Sequence, residues 1–198
     1  MAYAMRSWDA LPQSPLGAAG PISGAFMAAG ARDFHSAARY VNALPYGRNS
    51  SRIEPLIVML EGRGTCSTKH ALLRRLALEQ RLEVALVIGI YQMTERNTPG
   101  VGRVLAASGL EYLPEAHCYL RYLGDRIDVT REMAGVAAEP IARFLHEEDI
   151  SPEQISEYKI ALHQRWMREW IASADAPRGL GFDELWKIRE ACIAALGQ

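Results

Sequence analysis

The stretch LEVALVIGIYQM, residues 82–93, constrains the fold more than any other part of the chain. It is almost continuously apolar and rich in β-branched side chains. It is too short to cross a bilayer, which takes about 20 residues, and its character suits a strand buried on both faces. Such a strand needs partners at its edges and cover above and below. The segment AHCYLRYLGDRIDVT, residues 116–130, reads as two further strands around a turn at Gly124-Asp125.

Helical signals surround these strands. In residues 31–44, Phe34, Ala37, Ala38, Val41 and Leu44 fall on one stripe. A second helix is expected from Cys66 to Gln80 with Leu72, Leu73 and Leu76 inward, and a short one from Val101 to Ala107. Beyond the strand pair the chain is expected to be helical to its end. Ser151-Pro152 pairs a capping residue with a first-turn proline and opens a helix to about Ser173. PRGLG breaks that helix, Asp183 is positioned to cap a last one, and HEED (146–149) reads as a surface turn. Trp166, Trp170 and Trp186 recur at helical spacings and read as core.

Helices, then strands, then helices is an α+β pattern rather than alternating βαβ. The 198 residues are enough for one domain with a substantial core. Residues 1–30, rich in Pro and Gly, are expected to form an N-terminal surface segment, 31–135 the core, and 136–198 a C-terminal helical extension packed on the same domain.

Composition excludes several classes of function. A net charge of −1 gives no global field to recruit nucleic acid or an anionic membrane. The N-terminus lacks a basic region followed by an apolar run. Three widely spaced cysteines, Cys66, Cys118 and Cys192, form no CxxC pair and no disulfide framework. A reducing, cytoplasmic setting is expected.

The chemistry concentrates in EGRGTCSTKHALLRRL, residues 61–76. A phosphate loop is excluded because Gly64 is followed by Thr65-Cys66, and Lys69 comes five residues later, inside the helix. Cys66 and His70 could share a helix face, but with His117-Cys118 they match no standard zinc framework. The nucleophile reading has better physics. A thiol at a helix N-terminus feels the positive end of the dipole, and the unpaired amides there favour the thiolate. The same amides can hold the oxyanion of a tetrahedral intermediate. Lys69 and His70 then read as incidental helix-face residues, His70 with a structural or solvated role.

A base must come from elsewhere, and His117 is the candidate. On a strand it shares a face with Tyr119 and Arg121, whereas Cys118 points to the opposite face and reads as core. Asp128, on the returning strand, could orient the imidazole. A two-residue turn at Gly124-Asp125 would place His117 opposite Glu132, leaving Asp128 on the right face but roughly 13 Å along the strand. A shifted turn, a twist or a bulge would close that gap.

This constellation resembles the transglutaminase-like superfamily of papain-type cysteine enzymes. The resemblance runs through YVNALPYGR, GRGTCSTKHALLRRLALEQ, LVIGIYQM and AHCYLRYLGDRIDVT, about residues 35–131. It implies a Cys-bearing helix packed on a small antiparallel sheet, here with additional C-terminal helices. It also implies a triad of Cys66, His117 and Asp128 in that chain order, and acyl chemistry on a peptide, amide or ester substrate, either hydrolysis or transfer to an amine. No metal or cofactor is implied. Tyr46 and Gly64 are the positions expected to assist the oxyanion or substrate. This chain departs from the family pattern: its Cys-to-His interval of 51 is longer than usual, its His-to-Asp interval of 11 is shorter, and Cys118 stands where an aromatic usually follows the histidine. The alternative is a domain that keeps the fold as a binding or scaffold module without the chemistry.

Overall fold

The computed structural model describes residues 8–131, 141, 143–173, 175, 177 and 179–197. Its centre is β1 (Ala85–Met93), which pairs antiparallel on one side with β2 (Leu113–Tyr122) and on the other with β4 (His146–Ile150). A short β3 (Asp125–Ile127) pairs with the end of β2, giving the strand order β3-β2-β1-β4. The protein is thus α+β with a small four-stranded antiparallel sheet.

Burial of β1 on both faces follows from its alternation. Leu86, Ile88 and Ile90 enter one core with Cys118 and Leu120 of β2. That core is closed by α1 (Pro21–Ala28), α2 (Phe34–Ala43) and α4 (Cys66–Glu79) through Phe26, Phe34, Val41, Leu72 and Leu76. Val87, Tyr91 and Met93 enter a second core with Tyr119. Leu105 of α5 (Gly102–Ala107), Met167 of α6 (Glu157–Ile171), and Leu185 and Cys192 of α7 (Phe182–Ala195) close it. A short α3 (Ile57–Glu61) precedes α4. Gly89 of β1, opposite His117, permits a close approach in the second core. A Cβ there would lie 2.3 Å from the Phe144 ring, which stacks on Tyr119 with centroids 5.2 Å apart.

Several expectations are corrected. HEED is no surface turn: it lies in β4 and pairs with β1, so the region expected to be a helical extension supplies a strand of the central sheet. The expected boundary at 135/136 lies outside the described residues. The N-terminal segment is no mere surface wrap, because Leu11, Ile22 and Phe26 are buried in the first core. The hairpin turns at Leu123-Gly124, one residue earlier than expected, with Tyr122 opposite Asp125. Leu123 has φ 49° and Gly124 φ 87°, the left-handed geometry that such a tight turn requires. After Ser151-Pro152 comes a 3-10 turn, Pro152–Ile155, and α6 begins only at Glu157. The last helix begins after Gly181, whose amide donates to Glu184, rather than after Asp183. The three tryptophans are partly buried against the cores, as expected. Among the described residues no helix is long and apolar enough to cross a membrane.

Glu79, in the last turn of α4, fastens the N-terminal segment. Its carboxylate accepts from the amides of Ile22 (2.9 Å) and Ser23 (2.6 Å) and from the Ser23 hydroxyl (2.5 Å), and so caps α1 from a distance. Burial alone would raise this carboxyl, but the Ser23 and Ile22 bonds outweigh it and hold the group below its ordinary value. Glu79→Ala is expected to cost about 1–2 kcal/mol in chemical denaturation at neutral pH. Because the folded-state value is depressed, the contribution is present above the ordinary carboxylate value of about 4.3 and lost as pH falls through the lower folded value. The gap between wild type and variant should therefore close in acid.

Candidate active site

Cys66 is the first residue of α4, and the local sequence defines that start sharply. Thr65 is the N-cap: its hydroxyl accepts from the Thr68 amide, and the Thr68 hydroxyl accepts from the Thr65 amide at 3.0 Å. The Thr68 hydroxyl also donates to Asn49 Oδ1 at 2.7 Å, which ties the helix start to the preceding loop. The amides of Cys66 and Ser67 have no intrahelical acceptor, as at every helix start.

Gly64 serves through its missing side chain. A Cβ there would lie 2.8 Å from Lys69 Cγ and 3.1 Å from Thr68 Oγ1. Its backbone forms a short parallel bridge with Tyr46: its amide donates to Pro45 O (3.2 Å) and its carbonyl accepts from Gly47 (3.1 Å). The Gly64 amide is thereby committed and does not serve an oxyanion. Tyr46 is carried by the same bridge to the wall of the cavity that Cys66 lines. Burial, and next the charge on Cys66, raise its phenol, so it stays a hydrogen-bond donor.

The His117–Asp128 pair forms despite the register. Continuing the β2–β3 register past Ile127 would set Thr130 opposite His117, with Asp128 as a diagonal neighbour on the same face. The ladder stops at Ile127, and Asp128 Oδ2 meets His117 Nε2 at 2.8 Å.

Two side chains of α4 hold the chain in that course. Lys69 and His70 are each wholly buried, contrary to the expectation of incidental helix-face residues. Lys69 Nζ donates to Thr130 O at 2.7 Å and to Leu44 O at 2.5 Å. His70 Nε2 accepts from the Val129 amide at 2.9 Å, which leaves Nδ1 as the donor to Cys66 O at 2.7 Å. The ring is therefore neutral, and burial, foremost, lowers its titration to about 4. The Thr130 amide completes the hold by donating to Asp128 Oδ1 at 2.8 Å.

Because β3 pairs only with residues 120–122, β2 can receive the start of α4 beside His117 and Cys118. The His117 ring and the Cys118 backbone lie close enough to the Cys66 thiol to bear on its ionisation. With Nε2 engaged by Asp128, Nδ1 is the ring nitrogen left for sulfur. Burial would raise the thiol, but the Lys159 ammonium and then His117 outweigh it and lower it to about 6. Burial would lower the imidazole, but Asp128 and the thiolate raise it well above its ordinary value. Burial likewise opposes ionisation of Asp128, yet His117 holds its carboxyl far below the usual range. At neutral pH these effects favour thiolate, imidazolium and carboxylate in a row.

Lys159, on α6, was not anticipated from sequence. Its Nζ lies 3.6 Å from Cys66 Sγ and 2.8 Å from Ser67 Oγ, and the residue is 8% exposed. The available signal was a lysine three and four positions before Leu162 and His163, on the buried stripe of the helix. A second missed feature is the pair of Glu115 with Arg189, which donates from Nε at 2.7 Å and Nη2 at 2.5 Å. Burial would raise Glu115, but Arg189 outweighs it and the carboxyl falls to about 2. Glu115 lies two residues before His117, so strand periodicity alone put it on the same face. Tyr46, Cys66, Glu115, His117, Lys159 and Arg189 all line one cavity of about 960 Å³. Among the described residues no group of three or more His, Cys, Asp and Glu could hold a metal ion.

The chain matches no known family model, no characterised protein and no solved structure.

His70→Leu keeps an apolar side chain of similar bulk but removes both buried bonds. It is expected to lower stability by about 2–3 kcal/mol in urea unfolding. Amide exchange at Val129 and Thr130 should accelerate more than exchange within β1 if His70 holds this segment in place.

Proposed function

We propose that this chain is a cysteine-dependent acyl-transfer enzyme with a transglutaminase-like, papain-type core, and that it hydrolyses an amide bond. One observation carries the reading: the 2.8 Å bond between His117 and Asp128, in a cavity that is also lined by a thiol at a helix start. Cys66 and the much later segment that carries His117 and Asp128 line one cavity, the set of groups that nucleophilic catalysis needs.

The Cys66 thiolate attacks the substrate carbonyl carbon, and the carbonyl π pair moves to oxygen. The amides at the start of α4, with the Tyr46 hydroxyl, are the donors available to that oxyanion. As the intermediate collapses, the C–N bond breaks and the His117 imidazolium gives its proton to the leaving amine. This leaves a thioester on Cys66 and a neutral imidazole. A water molecule then attacks the thioester while His117 takes its proton, the C–S bond breaks, and the acid departs with thiolate and imidazolium restored. Asp128 keeps Nδ1 turned to the reaction throughout. An amine in place of water would give transfer, so the acceptor is a result that product analysis returns.

An activated acyl ester tests the reading, with release of its alcohol and the mass of the acyl-enzyme as readouts. A single adduct is expected on Cys66, while Cys118 and Cys192, both fully buried, stay unmodified. Cys66→Ala should abolish turnover, and Asp128→Asn should lower kcat by about 10²–10⁴. In wild type kcat/KM should rise through a pH of about 6 as the thiolate forms. It should fall well above the ordinary imidazole value, as His117 loses its proton. Absence of any Cys66 adduct across a panel of amides and esters, with a folded protein, would favour the binding-module alternative.

A further inference from the structure

We propose that Lys159 is a further catalytic residue: a buried ammonium that serves as a second counter-ion to Cys66, so that the nucleophile rests as a thiolate without depending on His117 alone. This rests on the reading of Cys66 as nucleophile and extends it.

The geometry leaves Lys159 little other use. Its Nζ touches Ser67 Oγ at 2.8 Å and Cys66 Sγ at 3.6 Å, and the residue is itself buried. A buried ammonium needs an anion beside it, and the surrounding groups narrow the choice. Glu115 is a carboxylate whose charge bears on it, but both Glu115 oxygens already receive the Arg189 guanidinium. On β2, Cys118 also interacts with the lysine, whose charge favours its thiolate, but burial, the largest influence, and the charge on Cys66 leave that thiol raised, so it stays protonated. Asp128 is engaged by His117 and by the Thr130 amide. His163, one turn along α6, is lowered first by burial and stays neutral with Nε2 on Pro114 O. Tyr46 and Tyr91 are raised and uncharged, and His70 is neutral. Among the described residues, Cys66 is then the group in contact with Lys159 that can carry the negative charge.

The arrangement divides two tasks that a Cys-His pair must otherwise share. An imidazolium that alone holds the thiolate gives up that stabilisation whenever it donates its proton. Lys159 keeps its charge while His117 passes through its neutral form in the acyl-enzyme. An ammonium therefore stands beside the sulfur both in the resting thiolate and when the C–S bond breaks and sulfur leaves as thiolate. Ser67, between Lys159 and Cys66 with its Oγ 3.8 Å from Sγ, orients the ammonium.

Alkylation of Cys66 by iodoacetamide as a function of pH, read by peptide mass, tests this without any substrate. The wild-type midpoint is expected at about 6. Lys159→Met should move it up by about one to three units, so that alkylation near pH 6 slows about fivefold or more. Lys159→Gln, which can keep the Ser67 hydrogen bond without the charge, should behave like Lys159→Met. Lys159→Arg should restore a low midpoint, and thermal unfolding of each variant should show an intact fold. His117→Ala should shift the midpoint only part of the way, and the double variant should reach the free-thiol value of about 8.5 or above. The proposal is overturned if both neutral Lys159 variants titrate like wild type, or if His117→Ala alone gives an ordinary thiol to which the second change adds nothing. In both cases a low wild-type midpoint leaves the Cys-His reading standing. A wild-type Cys66 that titrates as an ordinary thiol overturns both.

Discussion

Residues 128–130 do not continue the β-ladder; their backbone is bound by two buried side chains of α4. His70 takes the Val129 amide and Lys69 takes the Thr130 carbonyl. These bonds make the helix that carries Cys66 also the element that places Asp128. Asp128 can turn toward His117 because the chain has left the sheet, and α4 supplies partners for the Val129 amide and the Thr130 carbonyl there. His70 closes the loop by donating to the carbonyl of Cys66 itself. Cys66 and Asp128 are thus both held by α4, while His117 is carried by the sheet.

Electrostatics at this junction is a contest between desolvation and pairing. Burial is the largest single influence on Cys66, His117 and Asp128, and in each it opposes the charged form. The ions are favoured because they are adjacent: carboxylate to imidazolium, imidazolium to thiolate, thiolate to ammonium. Removing one member should therefore disturb the rest more than a surface substitution would, and neutral cores of His70 and Tyr91 on either side keep competing charges out. The cavity wall beyond is held by the Glu115–Arg189 pair, which joins β2 to α7 and carries no net charge into the site.

Much of this was legible in the sequence, and the exceptions have physical reasons. The apolar run around Val87 and Ile88 announced a strand buried on both faces, because only a central strand uses every residue. The pattern of Leu72, Leu73 and Leu76 gave α4 to within one residue at its end. Cys66, His117 and Asp128 could be named because each has a chemical reason for its place, a helix start and one strand face. Lys69 and His70 were misjudged because charge and polarity argue for exposure, and only tertiary structure reveals that backbone groups of a distant loop await them. The strand at 146–150 was missed for a related reason: HEED has no apolar alternation, and it is a strand because β1 offers it an unpaired edge. Lys159 lies 93 residues beyond Cys66 on a helix whose docking no local pattern specifies. The turn fell one residue from its expected place, since Leu123 adopts a left-handed conformation that β-branched or bulky residues rarely take.

The central claim is that Cys66 and His117 rest as a thiolate and an imidazolium aligned by Asp128. It is tested most directly by NMR titration of the His117 ring in wild type and in Cys66→Ala. The account predicts that the wild-type ring titrates well above the ordinary imidazole value and that removing the thiol lowers it markedly. A ring that titrates near 6.5 and does so equally in both proteins would contradict it.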